Sequence, residues 1–132
     1  RLVAEHDVLD ELLEDVAKLP EVQAVTALRA LQLGLHHGDH WRAAARVGEV
    51  LFGRAPDGVV AYNVACSWAG AGDAQEALAW LSKAVELGWR DTEVLDADAN
   101  FDLIRTTDGF RAMRAWIETG PEAGPKPGPK PA

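Results

Sequence analysis

GDHWRAAARVGEV (residues 38–50) and GDAQEALAWLSKA (residues 72–84) begin 34 positions apart, at 38 and at 72. Each opens on Gly-Asp. Ala43, Val47 and Val50 follow the first dipeptide at the offsets where Ala77, Leu81 and Ala84 follow the second. Small and apolar residues in register at a fixed period of this size mark a stacked helix-turn-helix array. The dipeptide supplies the punctuation. Glycine tolerates the left-handed conformation that ends a helix, and the following aspartate can cap the next one. Gly38 and Gly72 are therefore expected as helix breaks, with Asp39 and Asp73 as caps.

The pattern extends outward from these two turns. A first helix spans about 2–18, with Leu2, His6, Leu9, Leu13 and Val16 on one stripe. Pro20 closes it or opens the next helix. A second helix runs over 21–37, a third to about Gly53, a fourth from Gly58 with Asp57 as cap, and a fifth to about Gly88. Short helices are expected over 92–98 and 100–105. A last one carries Phe110, Met113, Trp116 and Ile117, with Asp108 as cap. From Thr119 the chain is rich in Gly, Pro and Lys, which reads as a disordered or polyproline-type linker.

The 132 residues suit one compact domain, and a hydrophobic fraction of 48% is enough for a core. No apolar stretch approaches the roughly 18 residues needed to cross a bilayer, and no signal peptide is evident. The chain opens on Arg1, which suggests a piece of a larger or processed protein. A single cysteine, Cys66, excludes an internal disulfide and fits a reducing, cytoplasmic setting. Its apolar neighbours make it a packed or groove-lining residue rather than a nucleophile.

Net charge is −8, which disfavours binding to phosphate backbones. Residues 1–23 hold seven acids and two bases, while residues 24–57 hold three acids and four bases. The acidic first helix reads as a solvated face, with a docking surface for a basic partner as the alternative. His36, His37, Asp39 and His40 straddle a helix end and do not converge as metal ligands must. Asp96, Asp98 and Asp102 lack the glycine and terminal glutamate of a helix-loop-helix calcium site and read as solvated acids. No phosphate loop, dinucleotide fingerprint or nucleophile elbow occurs. No cofactor and no enzymatic activity are therefore expected. A small-ligand site around His36 and His40 is the enzymatic alternative.

The segment 58–91 resembles the tetratricopeptide repeat, or TPR, on Tyr62-Asn63, Val64-Ala65, Trp68, Gly72-Asp73, Ala77, Leu81 and Ala84. Trp89 stands in place of the closing proline, a departure that suggests the array is ending. The segment 21–57 resembles a degenerate copy, in which Leu31 holds the place of a small residue and Gly34 that of a large one. Residues 1–20 fall where the second helix of a preceding repeat would. Residues 92–118, with Phe101-Asp102-Leu103-Ile104 and Asp108-Gly109-Phe110, resemble the segment that closes short bacterial arrays. The linker begins at 119.

The resemblance implies an all-α fold, a right-handed solenoid of about two repeats with an N-terminal helix and a C-terminal cap. It also implies a scaffolding or regulatory module that binds a protein or peptide in a concave groove. Projected onto this chain, that groove is lined by Leu28, Arg29, Gln32, Leu35 and His36, and by Tyr62, Asn63, Cys66 and Ala69. The carboxylate-gripping variant of the family is not implied. Asn63 matches one of its asparagines, but Leu28, Gln32 and Glu93 stand where other polar or basic groups are needed. Self-association as a homodimer, or a spacer role without a ligand, is the alternative. In so short an array the groove can also be filled by the chain's own ends.

Overall fold

Alternation of apolar stripes with Gly, Pro and Asp breaks yields helices throughout. The computed structural model describes the backbone of residues 2–120 and the side chains of residues 8–120. The elements are α1 (Leu2–Ala17), α2 (Glu21–His37), α3 (Trp41–Arg54), α4 (Gly58–Gly70), α5 (Ala74–Glu86), α6 (Thr92–Ala97), a 3-10 turn (Ala99–Phe101) and α7 (Asp108–Thr119). No strand occurs among the described residues. Most of the Gly-Pro-Lys segment expected as a linker lies outside them; Thr119 is the last residue of α7, and Gly120 closes it with φ 94°.

Short turns pack α2 on α3 and α4 on α5, and α3 packs on α4. Side chains of α1, α2 and α3 form one core around Val16, Ala24, Leu28, Val47 and Leu51. A larger core joins α4 and α5 to α6, the 3-10 turn and α7 through Ala65, Leu81, Leu95, Phe101 and Ile117. Phe52 packs against both. Its ring meets Trp80 edge-on at 5.1 Å.

The two Gly-Asp turns do not fold alike. At the second, Gly72 takes the left-handed conformation (φ 81°), and the Asp73 side chain accepts from the Glu76 amide at 3.1 Å. At the first, Gly38 has φ −87° and acts as the helix C-cap. Asp39 takes the left-handed place (φ 64°), and His40 is the N-cap, with no side-chain hydrogen bond. The expectation that Asp39 caps α3 is therefore corrected. Aspartate tolerates the left-handed region better than most residues, so Gly38 can close α2 after His37 and leave the left-handed position to Asp39.

The structural offset between the turns is thus 33 residues, from Asp39 to Gly72 and from His40 to Asp73, rather than 34. Backbone bonds agree: His40 N–H reaches Leu35 O, as Asp73 N–H reaches Trp68 O. Burial agrees as well. Ala44, Gly48 and Leu51 of α3 are buried as Ala77, Leu81 and Ala84 are in α5, whereas Val50 is 41% exposed. The Asp108 cap is likewise displaced: Thr107 caps α7, its hydroxyl accepting from the Phe110 amide. Asp57 caps α4 as expected, accepting from Val60 N–H at 2.9 Å.

Gly48 sets the closeness of α3 and α4. A Cβ added there would lie 2.7 Å from Val64 Cγ2, whereas one at Gly34 would meet nothing within 4 Å. Gly48→Ala is therefore expected to cost about 1–3 kcal/mol through overpacking, and Gly34→Ala to stabilise by up to about 1 kcal/mol. Urea denaturation midpoints moving in opposite directions are the expected result. A neutral or stabilising Gly48→Ala would show that this contact does not fix the helix spacing.

Candidate functional site

Of the nine residues expected to line a groove, the structure brings several to one face formed by α2 and α4, and hides others. Leu28 and Ala69 are fully buried and offer no surface. Gln32, Tyr62 and Cys66 are also buried, while Leu35 and His36 are half-buried. Arg29 and Asn63 are exposed. The one-residue slip accounts for Leu28 and Gln32. In a helix one residue is a rotation of roughly 100°, so these two side chains turn into the inter-helix packing. Arg29 and Leu33 take the outer positions.

The middle of this face is covered by the chain itself. Asp98 ends α6 in an extended conformation (φ −84°, ψ 107°) and lays its carboxylate on α4. Its Oδ2 accepts from the Tyr62 hydroxyl at 2.8 Å and from the Cys66 thiol at 3.1 Å. Its Oδ1 accepts from the Asn100 amide N–H at 3.0 Å, and its carbonyl accepts from Arg105 Nη2 at 2.7 Å. Phe101 follows, fully buried, with its ring 5.9 Å from that of Tyr62. Trp89 stacks on Tyr62 at 4.1 Å with an interplanar angle of 14°.

Asn100 carries the cover across to α2. Its side-chain nitrogen lies 2.7 Å from His36 Nε2. His36 Nδ1 lies 2.9 Å from Ser67 Oγ, which also accepts from Gln32 Nε2 at 3.3 Å. A neutral imidazole fits this chain of bonds: Nε2 accepts from the Asn100 amide and Nδ1–H donates to Ser67. A protonated ring would set a second N–H against the Asn100 donor. The ring also meets Trp41 edge-on at 4.9 Å.

Burial governs the ionisation of these groups. It pushes the Cys66 thiol well above its ordinary value, with the Asp98 carboxylate adding to the effect. The same causes hold the Tyr62 phenol neutral, burial first and then its neighbours Cys66 and Asp98. Burial lowers His36, with Asp98 pulling the other way. A buried, protonated thiol is a packing group and hydrogen-bond donor rather than a nucleophile. The arrangement is thus a hydrogen-bonding face holding the extended Asp98 and the 3-10 turn that follows it.

Asp98, Asn100 and Ser67 carry much of this face, and none was singled out from the sequence as a groove residue. Asp98 is no solvated acid. Asp96 forms a bidentate pair with Arg114, and Asp102 pairs with Arg105. The one sequence cue is the pair of acids before the aromatic Phe101, and no spacing rule reveals which of them folds inward. Among the described residues, no group of His, Cys, Asp and Glu is placed to hold a metal ion. Likewise, none of their helices is long and apolar enough to cross a membrane. Set against known proteins, the chain matches no family model, no curated protein and no solved structure.

Asp98→Ala leaves the Tyr62 hydroxyl and the Cys66 thiol without their acceptor, an expected loss of about 2–4 kcal/mol. Cys66, 4% exposed, is expected to label with a thiol reagent faster in this variant than in wild type. Unchanged labelling and stability would mean that the carboxylate does not hold the segment down. His36 gives a separate test. Its folded value lies below the ordinary 6.5, so unfolding takes up a proton in mild acid. Its contribution is complete above about pH 6.5 and is lost as pH falls through the folded value. The charged or titratable neighbours acting on it are Asp98, His37 and Asp39. The melting temperature is expected to fall more steeply on mild acidification in wild type than in His36→Gln. Parallel curves would remove His36 as the cause.

Proposed function

We propose that this chain is a protein-interaction module: two TPR-like repeats, α2 with α3 and α4 with α5, in a right-handed superhelix whose α2–α4 face holds a segment of a partner protein. The observation that carries this reading is the chain's own Asp98–Phe101 segment lying across that face through Tyr62, Cys66 and His36. A surface that holds the side chains of a short segment by hydrogen bonds and receives an aromatic ring beside them is suited to peptide recognition. The repeated turn geometry at the offset of 33 supports the repeat assignment.

The partner's place is the part of the face that the chain leaves uncovered. Asn63 is exposed, and its side chain makes no hydrogen bond with a described residue. It stands one turn after Val59, which is 59% exposed on the same stripe of α4. A scaffolding or regulatory role in a larger protein follows from this reading. The competing role, self-association, draws on exposed apolar side chains such as Val22 and Leu33.

Asn63→Trp places a bulky ring on the open face without removing any buried contact. The tagged wild-type chain is expected to retain a partner from source-cell lysate that Asn63→Trp loses, at equal helicity and melting temperature. Retention by both would sink the groove reading. Recovery of the chain alone, with a mass that rises with concentration in sedimentation, would put self-association in its place.

A further inference from the structure

Next to the uncovered part of that face lies an open cleft of about 540 Å³. Arg29 of α2 lines one side, Asp57, Gly58 and Val59 at the start of α4 another, and the turn from Leu87 to Asp91 the third. Its apolar wall is accessible: Val59 and Leu87 are 59% and 49% exposed. Trp89 completes this wall, held rigid by its stack on Tyr62.

The charges in the cleft are unequal in their availability. Asp57 and Asp91 are each engaged as helix caps, accepting from Val60 N–H at 2.9 Å and Val94 N–H at 3.1 Å. Neither guanidinium pairs with a carboxylate of a described residue. Arg29 makes no ion pair or hydrogen bond with any described residue, and Arg90 donates only to the Ile117 carbonyl, at 3.4 Å. Elsewhere Arg46, Arg54, Arg105 and Arg114 each pair with an acid. In a chain of net charge −8, acids to pair with are plentiful, yet these two arginines face the cleft without an ion pair to a described residue, although Asp57 and Asp91 line it as well.

We propose that this cleft is a docking point for an acidic segment of a partner protein. A carboxylate would bridge Arg29 and Arg90, and the apolar side chain beside it would lie on Val59, Leu87 and Trp89. The inference rests on the interaction-module reading and gives its partner a chemistry. Guanidinium forks match carboxylates in geometry and charge, and two apolar walls select a carboxylate with an apolar neighbour over a free anion. The overall negative charge repels long polyanions such as nucleic acid, which leaves a short acidic stretch as the anion that fits. From Val59 the segment continues along α4 to Asn63.

The test uses the full chain and two fluorescein-labelled peptides, one alternating leucine with glutamate and one alternating leucine with glutamine. Fluorescence anisotropy is expected to show the glutamate peptide binding roughly tenfold more tightly at low salt, the scale of two charge-assisted contacts. The preference shrinks as salt rises. It is lost in Arg29→Gln with Arg90→Gln, reduced in Arg29→Gln alone, and kept in the control pair Arg42→Gln with Arg111→Gln. Equal binding of the two peptides overturns the assignment. So does equal loss in the control pair, or ready displacement of the peptide by inorganic phosphate. A concentration-dependent mass abolished by the double variant also overturns it, since a second copy's acidic α1 would then fill the cleft. If the peptides bind equally but Asn63→Trp blocks both, the groove reading stands and only the acidic assignment falls. If neither peptide binds, the acidic assignment falls whatever the capture experiment gives.

Discussion

The enclosure of α4 on every side is the constraint to which the other elements answer. Val60, Ala61, Tyr62, Val64, Ala65, Cys66, Ser67 and Ala69 are all buried; Val59 and Asn63 are the exposed residues of this helix, with Gly58, Trp68 and Gly70 half-buried. A helix that is apolar almost all round must be covered almost all round. Its alanines let α5 come close on one side, and Gly48 lets α3 come close on another. Two helices do not suffice, and α6 with its following turn supplies the third wall. The polar groups that α4 carries into this enclosure, the Tyr62 hydroxyl, the Cys66 thiol and the Ser67 hydroxyl, each require a partner. That requirement determines where Asp98 and His36 must lie. The third wall is therefore positioned by hydrogen bonds as much as by the burial of Phe101.

Much of this was legible in the residues, because it is local. Helix boundaries at Pro20, Gly58 and Gly72, the caps at Asp57 and Asp73, and the core stripe of Ala77, Leu81 and Ala84 depend on contacts within a few positions. The first repeat was misread by one residue for an equally physical reason. The Gly-Asp dipeptide looks the same at both turns, but Asp39 can itself adopt the left-handed conformation, and nothing nearby forces Gly38 to do so. Burial then follows Ala44, Gly48 and Leu51, and Leu28 and Gln32 rotate off the expected groove. The network around Asp98 was not legible at all. The bonds that tie it to α2 and α4 join residues 31 to 64 positions apart, and no periodicity encodes which acid of the 96–102 stretch turns inward.

The ion pairs show how the surface divides. Arg46 with Asp10 and Arg54 with Glu21 hold α3 against the first two helices, and Arg114 with Asp96 holds α7 against α6. These are exposed pairs. Each contributes little stability, but each fixes how neighbouring helices are aligned. Such pairing takes Arg46, Arg54, Arg105 and Arg114 out of the surface field of a chain whose net charge is −8. Against that background an unpaired guanidinium is a local exception to the acidic charge of the chain.

Arg29 and Arg90 come from elements 61 positions apart in sequence (90 − 29), and both face the cleft beside the α4 N-terminus. Only the folded chain can bring them together, and it does so through the same turn, Leu87 to Asp91, that carries Trp89 onto Tyr62. The Tyr62 hydroxyl is in turn fixed by Asp98. The covered and the open parts of the α2–α4 face are thus mechanically joined. The segment that fills the one holds the aromatic wall of the other in place, so the self-occupied half of the face preorganises the half left open.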